Sequence, residues 1–439
     1  VVAPAVDQEG AVAMTAGPRH IVLATTGSLG DLHPFLALGC ELQRRGHRVT
    51  VATSTHHQPH VAQAGLGFRH MRPDPDNTPA FHAKYMHPKS GGEFVYKEYL
   101  GPAIRTSYND LAQATRGADM LVSQSLMALA APLVAAKTGI RWVSAVLQPM
   151  SFFSVHERPN YLPVPLLPWL CGRSPEFHSR VFHYVKKHTE DWVKPVIDFR
   201  RELGIARQEH PMYEGQHSPA CVMAMFSPLL GGPQPDWPAS AVQTGTALYL
   251  PENASLPADL KEFLGRTSRP LAVFTLSSAS SNDAGDFYQQ SLKAAGSLGM
   301  RALLVMGGLA ASASFDAPLP DWAFRIDYAP FEQIFPHAAV IVHSGGVATS
   351  FKALQSGKPQ VVVPHAHDQF DNAMRLSRLG TAIFIRERRP GHATLRKALQ
   401  KAMTTAEMRD KAAALADRTR AEQGVHRACD VIEEQLHHA

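Results

Sequence analysis

Residues able to do acid, base or anion chemistry gather in a few short segments. One is Gly27-Ser28-Leu29-Gly30-Asp31-Leu32-His33-Pro34, which leaves one apolar run and carries a carboxylate toward the next. An aspartate so placed serves as general base toward a hydroxyl, or it caps a helix opened by Pro34. Both readings stand at this stage. His33 is a second candidate base, with a polar histidine at a helix start as its plain alternative. A G-x-x-G alone lacks the third glycine of a dinucleotide fingerprint.

The run His343-Ser344-Gly345-Gly346-Val347-Ala348-Thr349 follows an apolar segment and opens a helical pattern. Free amides at a helix start, with glycines that let a ligand approach the backbone, make an anion site. His343 and Thr349 can add hydrogen bonds to a phosphate, although a tight strand-to-helix turn also needs glycine. In Pro364-His365-Ala366-His367-Asp368-Gln369, the last two residues offer the acceptor and the mixed donor and acceptor that suit sugar hydroxyls. His365, His367 and Asp368 crowd as metal ligands do. Their spacing matches no histidine-rich hydrolase pattern and no second cluster completes it, so no metal is expected. The serine loop at Ser277 and Ser278 can cradle phosphate oxygens, and Tyr328, ahead of Ala329-Pro330, stacks on a nucleobase or fills a core. Asp74-Pro75-Asp76 spells a D-x-D, but in a proline-rich loop with no supporting pattern.

The elements that must position these residues alternate as strand, helix, strand, which predicts α/β domains with parallel sheets. Strands are expected at Ile21 to Ala24, Arg48 to Ala52, Met120 to Val122 and Trp142 to Val146, with helices at Pro34 to Arg45 and Leu126 to Lys137. From Glu176 to Leu203 a helical stripe includes Phe177, Val181, Tyr184 and Trp192, and Pro195 should kink or end it. That stripe packs on its own core or lines an apolar pocket. Proline and glycine between Pro228 and Pro257 suggest an interdomain connection. A second alternation then runs through Leu271 to Leu276, Phe287 to Leu298, Ala302 to Val305, Val340 to Val342, Val347 to Ser356 and Gln360 to Val363. The expected organisation is a flexible lead-in at 1–19, one Rossmann-like domain at 20–235, a linker at 236–258 and a second Rossmann-like domain at 259–439, whose last helix packs back on the first.

Composition agrees with a globular protein. The 439 residues allow two or three domains, and 45% hydrophobic with 18% charged residues exclude wholesale disorder and collagen-like structure. The net charge of +5 is spread thinly, with no basic block, so nucleic acid is not an expected partner. Cys40, Cys171, Cys221 and Cys429 are far apart, which indicates neither a disulfide framework nor a zinc site and suggests a reducing, cytoplasmic setting. No run supplies the roughly 18 apolar residues of a membrane span, and Val1 to His20 does not read as a secretory signal.

Taken together, the segments Gly27 to Pro34, Tyr328-Ala329-Pro330, His343 to Thr349 and Gly357-Lys358-Pro359-Gln360 through Asp368-Gln369 resemble the inverting, nucleotide-sugar-dependent glycosyltransferases of the GT-B fold, family 1. Within them the chain looks most similar to the rhamnosyltransferases of rhamnolipid biosynthesis. The segments behind that likeness include His217-Ser218-Pro219, Pro235-Asp236-Trp237-Pro238 and Gly285-Asp286-Phe287-Tyr288. Ala348 stands where many relatives have glycine, and Phe331 where plant members have glutamine.

The resemblance implies transfer of L-rhamnose from dTDP-L-rhamnose to a 3-(3-hydroxyalkanoyloxy)alkanoate, without a cofactor or metal. It places Asp31 as base, and His343, Ser344, Gly345, Gly346, Thr349, Ser277 and Ser278 around the diphosphate. Tyr328 and Ala329 would meet the nucleobase, and Asp368 and Gln369 the sugar. Phe152, Phe153, Leu166, Leu167, Trp169 and Phe177 are expected to wall the acceptor site, with plain core packing as the alternative for each. Transient contact with the inner membrane, and a partner enzyme that supplies the acceptor, follow from so oily an acceptor. The competing readings are a family 1 enzyme using UDP-glucose on a sterol or macrolide, and a silent binding subunit or nucleotide-sugar epimerase on the same fold.

Overall fold

The computed structural model describes residues 17–76, 78–159, 166–251, 255–266, 268–307 and 318–437. Most of the lead-in expected at 1–19 lies outside them. Two all-parallel sheets organise the chain. The first comprises β1 (His20–Ala24), β2 (Arg48–Thr53), β3 (Gly67–His70), β4 (Met120–Gln124), β5 (Arg141–Val146), β6 (Cys221–Ala224) and β7 (Ala241–Gln243), in the order β3-β2-β1-β4-β5-β6-β7. Alternation along β1 sends Ile21 and Leu23 into one core cluster and Val22 and Ala24 into another, so both faces are covered. Because β7 pairs with β6, the first sheet reaches Gln243, past the expected domain end at 235.

The second sheet holds β8 (Leu271–Thr275), β9 (Arg301–Val305), β10 (Ala323–Ile326), β11 (Val340–His343), β12 (Gln360–Val362) and β13 (Ala382–Phe384), in the order β10-β9-β8-β11-β12-β13. In each sheet the chain winds outward from one central pair, β1 with β4 and β8 with β11. Open α/β sheets bind ligands at the carboxyl ends of such pairs.

The helices that matter to the site are α1 (Leu29–Arg44), α2 (Ala131–Thr138), α3 (Leu167–Cys171), α4 (Pro175–Thr189), α5 (Lys194–Glu202), α6 (Val347–Ser356), α7 (Gln369–Arg378) and α8 (Gly424–His437). Two differ from the sequence reading, and a third decides between its alternatives. α1 begins ahead of Pro34, because Ser28 and Asp31 form a capping box one turn earlier. α2 is shorter than expected: Pro132 sits in its first turn, and Leu126 takes a left-handed conformation at φ 69° in the preceding loop. Of the expected kink or end at Pro195 the chain takes the end: α4 stops at Thr189, and Pro195 sits in the first turn of α5, its missing N–H falling where a helix start has no bond to make.

The last helix, α8, leaves the second domain and packs on the first. Its Cys429 and Ile432 enter the core beside α1, and Arg45 bonds Asp430 at 2.7 Å and Glu433 at 2.6 Å. Among the described residues no helix is long and apolar enough to cross a membrane.

Candidate active site

The two central strand pairs point their carboxyl ends into one cleft of about 1400 Å³. The segments after β1 and β4 supply Asp31, Leu126 and Met127, and those after β8 and β11 supply Ser277, Ser278 and Gly346 to Thr349. Chemistry that is distant in sequence is thereby collected by topology.

Asp31 is the third residue of α1. Its Oδ2 accepts from the Ser28 amide at 2.8 Å and the Ser28 hydroxyl at 2.9 Å, and its Oδ1 accepts from Gln124 Nε2 at 2.6 Å. Gln124 in turn accepts from Thr25 Oγ1 at 2.5 Å. Burial pushes the carboxyl above its ordinary range, with these hydrogen bonds opposing the shift. A carboxylate made more basic but held in one orientation is suited to taking a proton. Gly27 is required for this placement: its φ is 109°, and a Cβ there would lie 2.5 Å from Asp31 Oδ2. His33 also lines the cleft, but burial and then the charge of Lys352 hold its pKa down to about 4, so it is neutral at pH 7.

Across the cleft, α6 starts at Gly346 with no side-chain cap. The first amides of that helix therefore have no partner within it, and Gly346, Val347, Ala348 and Thr349 line the opening. The two facing helix starts differ in kind: a carboxylate closes α1, whereas α6 is open to an anion.

His343 is placed differently from the sequence expectation. It is fully buried beneath the turn, where Nε2 pairs with Gln360 Oε1 at 2.8 Å and Nδ1 accepts from the Gly345 amide at 3.1 Å. Both ring nitrogens are thus committed within the protein, and burial lowers the ring's pKa to about 4. Ser344 likewise faces inward, its hydroxyl accepting from the Ser277 amide at 2.9 Å. Gly345 takes φ 92° with Gln369 O packed 3.0 Å from where a Cβ would stand, which leaves room for no other residue.

Asp368 and Gln369 begin α7 and both line the cleft. Asn372 Nδ2 donates to Asp368 Oδ2 at 2.7 Å. Burial and then the charge of Asp31 raise the Asp368 carboxyl to about 7. Gln369 is engaged inside its own domain: Oε1 accepts from the His365 amide at 2.8 Å, while Nε2 donates to Ser280 Oγ at 3.0 Å and Ser277 Oγ at 3.2 Å. It ties the serine loop to the loop after β12. Ser278 lines the cleft, as do Ala329 and the exposed Tyr328.

The histidines beside Asp368 do not converge on it. His365 is buried with Nδ1 on the Val363 carbonyl at 3.0 Å, and the His367 ring lies 5.3 Å from that of Tyr85 in the other domain. Asp74 is occupied by the Thr55 amide at 2.6 Å and His70 Nε2 at 2.7 Å. Among the described residues no group of three His, Cys, Asp or Glu is placed to hold a metal.

Of the expected acceptor wall, only Phe153 lines the cleft. Phe152 stacks on Trp237 at 4.0 Å in a separate core cluster. Leu166, Leu167, Trp169 and Phe177 lie outside, because α3 and the start of α4 run along the surface. The apolar wall comes instead from Val95, Leu126, Met150, Val185, Trp192 and Met225. Sequence reading also missed Gln124, Tyr85 and Lys352. Gln124 had a signal, a polar residue ending a buried strand, and Lys352 lies one helical turn beyond Thr349. Tyr85 had none.

Comparison with known proteins agrees with this geometry. Residues 21–111 match the glycosyltransferase family 28 N-terminal domain, and residues 304–430 match the erythromycin biosynthesis protein CIII-like C-terminal domain. An O-mycaminosyltylonolide 6-deoxyallosyltransferase of Streptomyces fradiae is 29% identical over 94% of this chain and 97% of its own. The chain is a glycosyltransferase of the GT-B fold. Among solved structures, the glycotransferase of kitacinnamycin superposes with a TM-score of 0.71 at 21% identity, covering 96% of this chain and 99% of that one. The spinosyn rhamnosyltransferase SpnG does so with a TM-score of 0.65 at 20% identity, covering 94% and 100%.

The halves of this GT-B glycosyltransferase are pinned together by a buried arginine. Arg375 of α7 bonds Asp371 at 2.5 Å within its helix, both oxygens of Glu157 at 3.0 and 2.5 Å in the first domain, and the Leu230 carbonyl at 2.8 Å.

Proposed function

We propose that the protein transfers L-rhamnose from dTDP-L-rhamnose to the hydroxyl of a 3-(3-hydroxyalkanoyloxy)alkanoate, inverting the anomeric centre and yielding a mono-rhamnolipid. The observation that carries the proposal is the pairing of an uncapped helix start at Gly346 with a hydrogen-bonded, abnormally basic Asp31 across one cleft. Asp31 removes the proton of the acceptor hydroxyl as its oxygen attacks the anomeric carbon. The bond from that carbon to the diphosphate breaks on the opposite face, and its electron pair leaves with dTDP. The amides at the start of α6, with Thr349 and Ser278, receive the charge that grows on the leaving group, which makes a bound divalent ion dispensable. Tyr328 and Ala329 hold the thymine, and Asp368 accepts from a sugar hydroxyl. His343, Ser344 and Gln369 act one layer back, fixing the turn and the serine loop.

The choice of a 6-deoxyhexose is supported by the deoxyallosyl and rhamnosyl transfers named for the two relatives above. That of an amphiphilic acceptor is supported by the apolar residues that line the same cleft as Asp31 and by the sequence likeness to rhamnolipid enzymes. Donor competition tests the reading: with a hydroxy-fatty-acid dimer as acceptor, dTDP-L-rhamnose should turn over fastest. Faster turnover with UDP-glucose, or donor epimerised without acceptor, would reject it.

A further inference from the structure

Helix α3 and the start of α4, which lie outside the cleft, form a surface that continues along α4. Along α3 and α4, Leu166 is 75% exposed, Tyr184 71%, Trp169 and Leu170 44% each, and Phe177 39%. Large apolar side chains scattered singly need no explanation, but a contiguous run of them does. Cations accompany them. The Arg173 guanidinium lies 3.8 Å over the Trp169 ring, Arg158 packs against Gly172 at the end of α3, and Arg180 and Lys187 sit on exposed positions of α4. Among the described residues none of these four forms an ion pair. The acid within the run is Glu176, which accepts from the Ser174 hydroxyl at 2.8 Å. The face continues into the cleft, because Tyr184, Val185 and His188 of α4 line its mouth.

We propose that α3 and the exposed face of α4 dock on an anionic bilayer surface, placing the cleft mouth where an amphiphilic acceptor leaves the membrane. Tryptophan, leucine and phenylalanine beside arginine and lysine is the composition of a helix lying in the interface plane, with the rings at headgroup depth and the cations on lipid phosphates. The purpose assigned to the surface rests on the amphiphile reading above. The binding itself does not, since it is measured without donor or acceptor.

The test is co-sedimentation of the full chain with vesicles of phosphatidylethanolamine and phosphatidylglycerol, and with vesicles of phosphatidylcholine alone. The protein should pellet with the anionic vesicles, less so at higher salt, and remain in solution with the neutral ones. Leu170→Glu and the pair Arg173→Glu with Arg180→Glu should each weaken binding about tenfold or more. These positions lie outside the cleft, so turnover of a short-chain, freely dissolved acceptor should be unchanged in the variants, whereas turnover of a vesicle-borne acceptor falls. Wild-type protein that stays in solution with anionic vesicles, or variants that pellet as well as wild type, would overturn the proposal. So would a concentration-dependent dimer that the same substitutions abolish, since the face would then belong to a second copy of the chain. If vesicle binding holds while dTDP-L-rhamnose is not used, the docking surface stands and the donor assignment falls.

Discussion

Asp31, on the first helix of one domain, faces Asp368, at the start of a helix in the other, and its charge helps raise the Asp368 carboxyl to about 7. Two carboxylates in one cleft titrate against each other. The fold creates the pair by bringing the segments that follow β1 and β12 to one cleft. It equips them differently: Ser28 and Gln124 orient the first, and Asn372 the second.

Replacing Asp31 by Asn keeps the shape of the helix start and removes the base. Transfer should fall by about 10²- to 10⁴-fold while dTDP still binds, as read by steady-state rates beside calorimetric titration. Near-normal kcat would move the base elsewhere, with His33 the next residue to substitute.

Asp368 gives a pH dependence of definite sign. Its carboxyl is raised, so the ionised form that accepts from a sugar hydroxyl is lost as pH falls through about 7. The affinity advantage of dTDP-L-rhamnose over dTDP should therefore shrink from pH 8 to pH 6. In Asp31→Asn the like charge is gone, and the same transition should move to lower pH. A ratio of Kd values that is flat across this range would remove Asp368 from the sugar site.

His343 acts through the turn, since both its nitrogens are taken by Gln360 and Gly345. His343→Ala leaves a buried amide without its partner and should cost about 1–3 kcal/mol of stability together with donor affinity. Gln360→Ala should show a milder version of both losses. Donor affinity lost with an unchanged Tm would instead indicate that the imidazole touches the phosphate itself.

Arg375→Ala removes the guanidinium that bonds the buried Asp371 and both oxygens of Glu157 at the domain interface. Removing one partner from such a network costs about 3–5 kcal/mol, and chemical denaturation should show it. A change within about 0.5 kcal/mol, the size expected of an ordinary surface substitution, would mean that the domains are held by other contacts.

Much of this arrangement was legible in the sequence. Buried parallel strands write continuous apolar runs, so Ile21 to Ala24 and Val340 to Val342 were visible, and with them the loops that bear Asp31 and the glycines at 345 and 346. The start of α1 was misplaced because Pro34 is the louder helix signal, while Ser28 and Asp31 form the capping box. The apolar lining of the cleft was the least legible part. An apolar residue that faces a cleft, a core or solvent reads the same, so Phe153, Phe152 and Trp169 were indistinguishable until the fold assigned each a side. Orientation was equally hidden at His343 and Gln369, whose polar atoms turn inward to partners such as Gln360, Ser277 and Ser280.

The most direct test is a crystal structure with dTDP bound. The proposed function predicts the diphosphate on the amides of Val347, Ala348 and Thr349, the thymine against Tyr328 and Ala329, and the Asp31 carboxylate across the space left for the sugar. A diphosphate bound away from the start of α6, or a sugar space that Asp31 does not face, would contradict it.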